Sequence, residues 1–369
     1  VQPLRPKALL VLLLALGAPA AGVVADEPGG AGDRLLPGQG YPIEASVSFP
    51  AALFHWLDSL AMLNGTGLSA GKTVPAHQRE FLRLFGEPTD EDREVIAAYR
   101  EARGSFVMSR IERAERGEPA DPSALLKAFL DSDTMGDAAR KARALLPDED
   151  FAAIRTALAR FEIRYRRVWN DGAVPSKFLE RVRGDELAGD LERLLLRTAA
   201  FYGVDPKQPP TPRVVLVPVP SGKGTHAQAV GSVLLLEVRP SDTLAEQASV
   251  VVHENAHFLF GRLPRARVDA LARAAAESGP SGEECWERLR EALPTALGQG
   301  IADRTFRPDG WSTDDPWYHR NDVDRFAKAI YPQVRTALDE GGRFDEAFVT
   351  RACEAMPDEP AVTPRSPSP

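Results

Sequence analysis

His253-Glu254-Asn255-Ala256-His257 places two imidazoles four residues apart with a carboxylate between them. On an α-helix, residues i and i+4 share a face, so both rings can offer a nitrogen to one metal ion while Glu254 projects beside it as a proton acceptor. Imidazole nitrogens completed by a carboxylate suit zinc. The flanks, Val250-Val251-Val252 and Phe258-Leu259-Phe260, make the run apolar nearly all round, which predicts a helix through the protein interior. An unpaired histidine pair is unfavourable there, and a bound metal relieves it.

A catalytic zinc usually takes three protein ligands and keeps its fourth position open. The metzincin extension is absent, because Phe260 stands where its glycine would be and Leu263 where its third histidine would be. Glu291 is the leading third ligand, on a second helical run after Pro280-Ser281-Gly282. Glu287 lies one turn earlier on a similar face, and Pro294 should break or kink the helix near Glu291, so Glu287 stays open as its rival. Asp303 and His319 are lesser candidates for the same role.

His253-Glu254-x-x-His257 followed by a later glutamate resembles a gluzincin-type zinc metallopeptidase over roughly residues 211–335, and the element order is similar to that of uncharacterised exported bacterial zincins. The resemblance implies a zinc-activated water, with its pKa lowered to about 7, attacking a peptide carbonyl while Glu254 serves as general base and then general acid. It also implies a further donor for the developing oxyanion, for which Tyr318, His319 and Tyr331 are the candidates. A peptide or protein would be the substrate. Two other readings share the motif: a catalytically inactive zincin-like binding protein, and a zinc hydrolase of a non-peptide amide.

The elements that must position these residues are legible in outline. Ser241, Asp242 and Thr243 are N-cap candidates for the motif helix, Thr243 and Glu246 have capping-box spacing, and Gly261 is expected to end the helix in the left-handed conformation. Val214–Val217 and Val233–Val238 read as strands that pair with each other across a polar loop. Upstream, Ile43–Phe49 alternates like a short strand before an apolar helix over 52–63, Thr89-Asp90-Glu91-Asp92 resembles an acidic helix start, and 150–169 and 176–202 have helical periodicity. Prolines at 206, 209, 210 and 212 mark a boundary. The expected fold class is therefore α+β: a mainly helical region over 41–204, then a zincin-like domain over 205–356 with a small sheet, the motif helix and a glutamate-bearing helix.

With 43% hydrophobic and 27% charged residues, the 369-residue chain can build a substantial core. A net charge of −8 gives no overall attraction to nucleic acid. Residues 1–25 read as a signal peptide: Arg5 and Lys7, the apolar run 8–16, then Ala18-Pro19-Ala20, with a second cleavage choice after Ala25. The alternative, an uncleaved N-terminal anchor, is disfavoured because the apolar run is shorter than the ~20 residues needed to span a bilayer, and no membrane span is expected after cleavage. The predicted location is secreted or periplasmic, without a lipoprotein cysteine. A flexible leader over 26–40 and a disordered Pro/Ser-rich tail over 357–369 complete the plan. Cys285 and Cys353 are the only cysteines, so one disulfide is permitted. Gly65–Thr73 fails the spacing of a phosphate-binding loop, since Thr66 sits where the first glycine is required. His55, His77 and His226 lie outside any ligand spacing and read as ordinary polar or packing residues, with His226, in the loop between the two strands, also a substrate-contact candidate.

Overall fold

The computed structural model describes residues 33–34, 41, 43–63, 76–183, 185–205, 210–219 and 227–357. Residues 1–25, expected to be a signal peptide, the Gly65–Thr73 stretch, His226 and the tail from residue 358 lie outside the described residues, as does the expected leader apart from Asp33 and Arg34.

An α-rich α+β architecture is organised around one mixed sheet. Its strands are β1 (Asp33–Arg34), β2 (Glu44–Val47), β3 (Arg213–Pro218), β4 (Ala227–Val230) and β5 (Val233–Val238), in the order β1-β2-β3-β5-β4. The two expected strands do pair: β3 and β5 run parallel with Val214 opposite Leu234. Between them the sequence reading had only a loop, yet β4 forms an antiparallel hairpin with β5, turning at Gly231-Ser232 with Val230 opposite Val233. Gly231 takes φ of 59°, a value that a glycine reaches without steric strain. β3 and β5 are buried on both faces, as parallel strands covered on two sides must be.

Side-chain alternation divides the core into two layers. Val215, Val217, Val233 and Leu235 face one helical layer. It contains α1 (Phe49–Leu60), α2 (Ala76–Phe85), α3 (Asp90–Glu115), α4 (Ala124–Leu130), α5 (Met135–Arg143) and α6 (Asp148–Trp169). Ser48 caps α1, and Thr89 with Asp92 forms the capping box that starts α3. Inside this layer Arg103 pairs with Asp58 through two hydrogen bonds of 2.8 and 3.0 Å, and the Tyr99 hydroxyl donates to the same carboxylate at 2.6 Å. All three side chains are buried.

Val214, Leu216, Leu234 and Leu236 face the other layer. Its helices are α7 (Ala173–Arg183), α8 (Ala188–Phe201), α9 (Leu244–Gly261), α10 (Arg265–Glu277), α11 (Gly282–Thr295), α12 (Asp303–Phe306), α13 (Asn321–Glu340) and α14 (Glu346–Glu354). The expected run 176–202 is thus split, with separate helices on either side of residues 184–187. The sheet spans the expected boundary near residue 204, because β2 lies beside β3 and α8 shares a core with α9.

Cys285 and Cys353 form a disulfide between α11 and α14, closing a loop with a sequence separation of 68. Constraining so long a loop in the unfolded chain should stabilise the fold by about 2–4 kcal/mol. Reduction is expected to lower the denaturant midpoint accordingly; an unchanged midpoint under fully reducing conditions would mean that the bridge adds no stability. No helix of the described residues is long and apolar enough to cross a membrane.

Candidate metal centre

α9 starts as its sequence predicts, with the Thr243 hydroxyl accepting from the Glu246 amide and the Glu246 carboxylate accepting from the Thr243 amide at 2.9 Å. It ends differently. Gly261 is its last helical residue and has no left-handed backbone; the chain turns instead at Arg262, whose N–H donates to the Leu259 and Phe260 carbonyls just before Pro264 opens α10. Of the motif residues, His253, Asn255 and Ala256 are buried, while Glu254 and His257 are half-buried.

α11 brings Glu291 against the two histidines. His253 Nε2 lies 3.2 Å from His257 Nε2 and 3.2 Å from one Glu291 oxygen, and His257 Nε2 lies 3.5 Å from the other. A tetrahedral zinc with bonds of about 2.0–2.1 Å separates its ligand atoms by about 3.3 Å. The two imidazole nitrogens are separated by nearly that distance and each has a different Glu291 oxygen close by, and two imidazoles with one carboxylate are a suitable donor set. Glu287, also on α11, is not in this group. Pro294 does not end α11: the helix continues to Thr295 and then widens into a π segment, Ala296–Ala302. Proline has no N–H to return to the Arg290 carbonyl, which accounts for altered hydrogen bonding beginning there.

The charges within the trio are mutually stabilised. Burial pushes His257 down, but the charge and hydrogen bond of Glu291 outweigh it and leave His257 above its usual range. Burial acts upward on Glu291, and the His257 charge together with hydrogen bonds from both imidazoles holds it well below the carboxylate range. Glu291 is thus an anion, the form in which a carboxylate binds a metal. His253 Nδ1 is buried without a hydrogen-bond partner.

Glu254 is fixed from a direction that the sequence reading did not anticipate. The Ala229 amide on edge strand β4 donates to Glu254 Oε2 at 2.7 Å. Its charge also acts on His257 and Tyr318, so all three occupy one electrostatic neighbourhood. Opposite, Tyr318 stacks parallel to His253, with ring centroids 6.2 Å apart, and hydrogen-bonds to Glu291. Burial and the Glu291 charge raise the Tyr318 hydroxyl well above its ordinary range, so it remains a proton donor at neutral pH. Asp324, near the start of α13, holds this turn by accepting from the backbone amides of Trp317 and Tyr318.

The other expected site residues lie apart from this group. His319 is exposed and rests against the Tyr318 ring at 4.3 Å between centroids. Tyr331 accepts a hydrogen bond from Arg304 at 2.8 Å and packs its ring on Trp311 and Trp317, which makes it part of the aromatic packing around Gly300. Asp303 turns to Arg307, at 2.7 and 3.1 Å, and to Ser249. Gly298 was not singled out from sequence, but it lets the π segment lie directly on α9: a Cβ there would fall 2.5 Å from the Ser249 carbonyl oxygen and 3.0 Å from His253 Cβ. His55 and His77, read as packing residues, converge on Glu237 in the opposite helical layer. A glutamate in a strand otherwise made of valine and leucine was the available signal. Compared with protein-family models, with curated proteins and with solved structures, the chain matches none of them.

Proposed function

We propose that this chain is an exported zinc-dependent peptidase, with zinc held by His253, His257 and Glu291 and with Glu254 as the general base. The observation that carries the reading is the convergence of His253 Nε2, His257 Nε2 and the Glu291 carboxylate, with Glu254, on the same helix as the two histidines, held by the Ala229 amide. When bound, zinc supplies Lewis acidity that polarises a substrate carbonyl and acidifies water. Glu254 accepts the proton of the attacking water and returns it to the leaving amine, a shuttle open to a carboxylate held next to the reacting atoms. The Ala229 N–H orients that carboxylate from the edge strand. In this reading Tyr318, which stacks on His253 and keeps its proton, is the donor for the developing oxyanion.

The reading includes a zincin-like arrangement of sheet, motif helix and glutamate-bearing helix, and export directed by residues 1–25. Purified protein incubated with an unbiased peptide library is expected to generate cleavage products. Chelation should stop the cleavage, and added zinc should restore it. Metal-loaded protein that leaves the library intact would instead favour a binding protein that retains the metal centre, and release of a non-peptide amide product would move the substrate class.

A further inference from the structure

On the far side of the sheet, His55 of α1, His77 of α2 and Glu237 of β5 meet inside the first helical layer. Strand alternation explains the placement. Val233 and Leu235 face this layer, so Glu237, two residues further along β5, faces it too, whereas α9 and the first site lie against Leu234 and Leu236. The three side chains are almost wholly removed from solvent, at 4% exposure for His55, 2% for His77 and 7% for Glu237. His55 Nε2 lies 2.7 Å from Glu237 Oε1, and His77 Nε2 lies 3.4 Å from the same oxygen. The rings meet edge to face with centroids 5.6 Å apart, and the potential ligand atoms all fall within 4.8 Å of one another.

Burying three ionisable groups carries a desolvation cost, and apolar residues of similar volume often serve stability as well or better. Among the described residues His77 Nδ1 has no hydrogen-bond partner. A divalent cation would compensate all three at once: each imidazole presents Nε2, and the carboxylate supplies the negative charge. Two nitrogens and an oxygen suit zinc. The 3.4 Å separation matches the roughly 3.3 Å edge of a tetrahedral site, while the 2.7 Å hydrogen bond would open by about 0.6 Å on loading. A carboxylate can also bind through both oxygens, which lets three residues fill four positions.

We propose that His55, His77 and Glu237 form a second zinc site, structural in role, that clamps α1 and α2 to β5. It differs from the first site in its near-complete burial, which matches the closed character of structural sites. The two sites lie in different layers, so this inference stands apart from the peptidase reading.

The test is elemental analysis of the full chain, equilibrated with zinc and then desalted, for wild type, His257→Ala and His77→Gln. Two zinc ions per chain are expected in wild type and one in each variant. In His257→Ala, stripping the remaining ion should lower the melting temperature, as loss of a ligand bound only to the native state requires. One ion in wild type and none in His257→Ala would overturn the second site and leave the first, with the second cluster reduced to a hydrogen-bonded triad. One ion in both, lost only in His77→Gln, would support the second site and remove the first. No ion in wild type would end both. If His77→Gln does not fold, the step from two ions to one between wild type and His257→Ala decides the question.

Discussion

Glu254→Gln is expected to bind zinc at the His253–His257–Glu291 site as wild type does, and to lose about 10²- to 10⁴-fold in kcat for peptide hydrolysis, the range that a positioned general base contributes. The substitution separates chemistry from structure cleanly. Glutamine keeps a carbonyl oxygen for the Ala229 N–H, so the contact between α9 and the edge strand survives, and Glu254 is not one of the clustered donors. What is lost is the ability to take a proton from water at neutral pH. Steady-state kinetics together with metal content checks both halves. Full activity in Glu254→Gln would end the assignment of Glu254 as the base, and loss of the metal would mean that the residue supports the site rather than the reaction.

Glu291→Ala should weaken zinc binding at this site by more than about 100-fold, whereas Glu287→Ala should leave it unchanged. Removing an outer partner of a metal ligand already lowers affinity about 10- to 100-fold, and Glu291 stands in direct reach of the metal position. It contributes both the third donor and the negative charge: its two oxygens lie 3.2 and 3.5 Å from the two imidazole nitrogens. Titration against a competing chelator measures the effect, with His257→Ala as the baseline for protein in which the site is disabled. Equal loss in the two glutamate variants, or loss only in Glu287→Ala, would reverse the ligand assignment. The disulfide between α11 and α14 bears on the same point, since it anchors the helix that carries Glu291. A reduced protein that unfolds more readily would present Glu291 less steadily to the two histidines.

How much was legible depended on how far apart in sequence the interacting groups lie. The hairpin of β4 and β5 was within reach, because Gly231-Ser232 is a two-residue turn of the kind that joins paired strands. The segment Ala227-Gln228-Ala229-Val230 hid it, having a single β-branched residue and no aromatic one. Missing β4 also meant missing the amide that holds Glu254. The expected left-handed stop at Gly261 failed for a related reason: a glycine permits that conformation but does not impose it, and the turn into Pro264 was made at Arg262.

By itself the sequence singled out the proposed metal-ligating pair and the proposed base, together with the start of the helix that bears them. The periodicity of an α-helix fixes which residues share a face, and the capping box at Thr243 and Glu246 acts within four residues. For the third ligand the sequence offered Glu291 and, one helical turn earlier, Glu287 as the leading candidates, with Asp303 and His319 behind them. Tertiary packing chose between them, because that choice depends on the angle and register at which α11, with its π extension, lies against α9, and Gly298 sets how closely the two approach. Packing likewise brought Tyr318 over His253 through Asp324, engaged Tyr331 with Arg304, and gathered His55 and His77 around Glu237. These contacts join residues far apart in the chain, and no local periodicity encodes them.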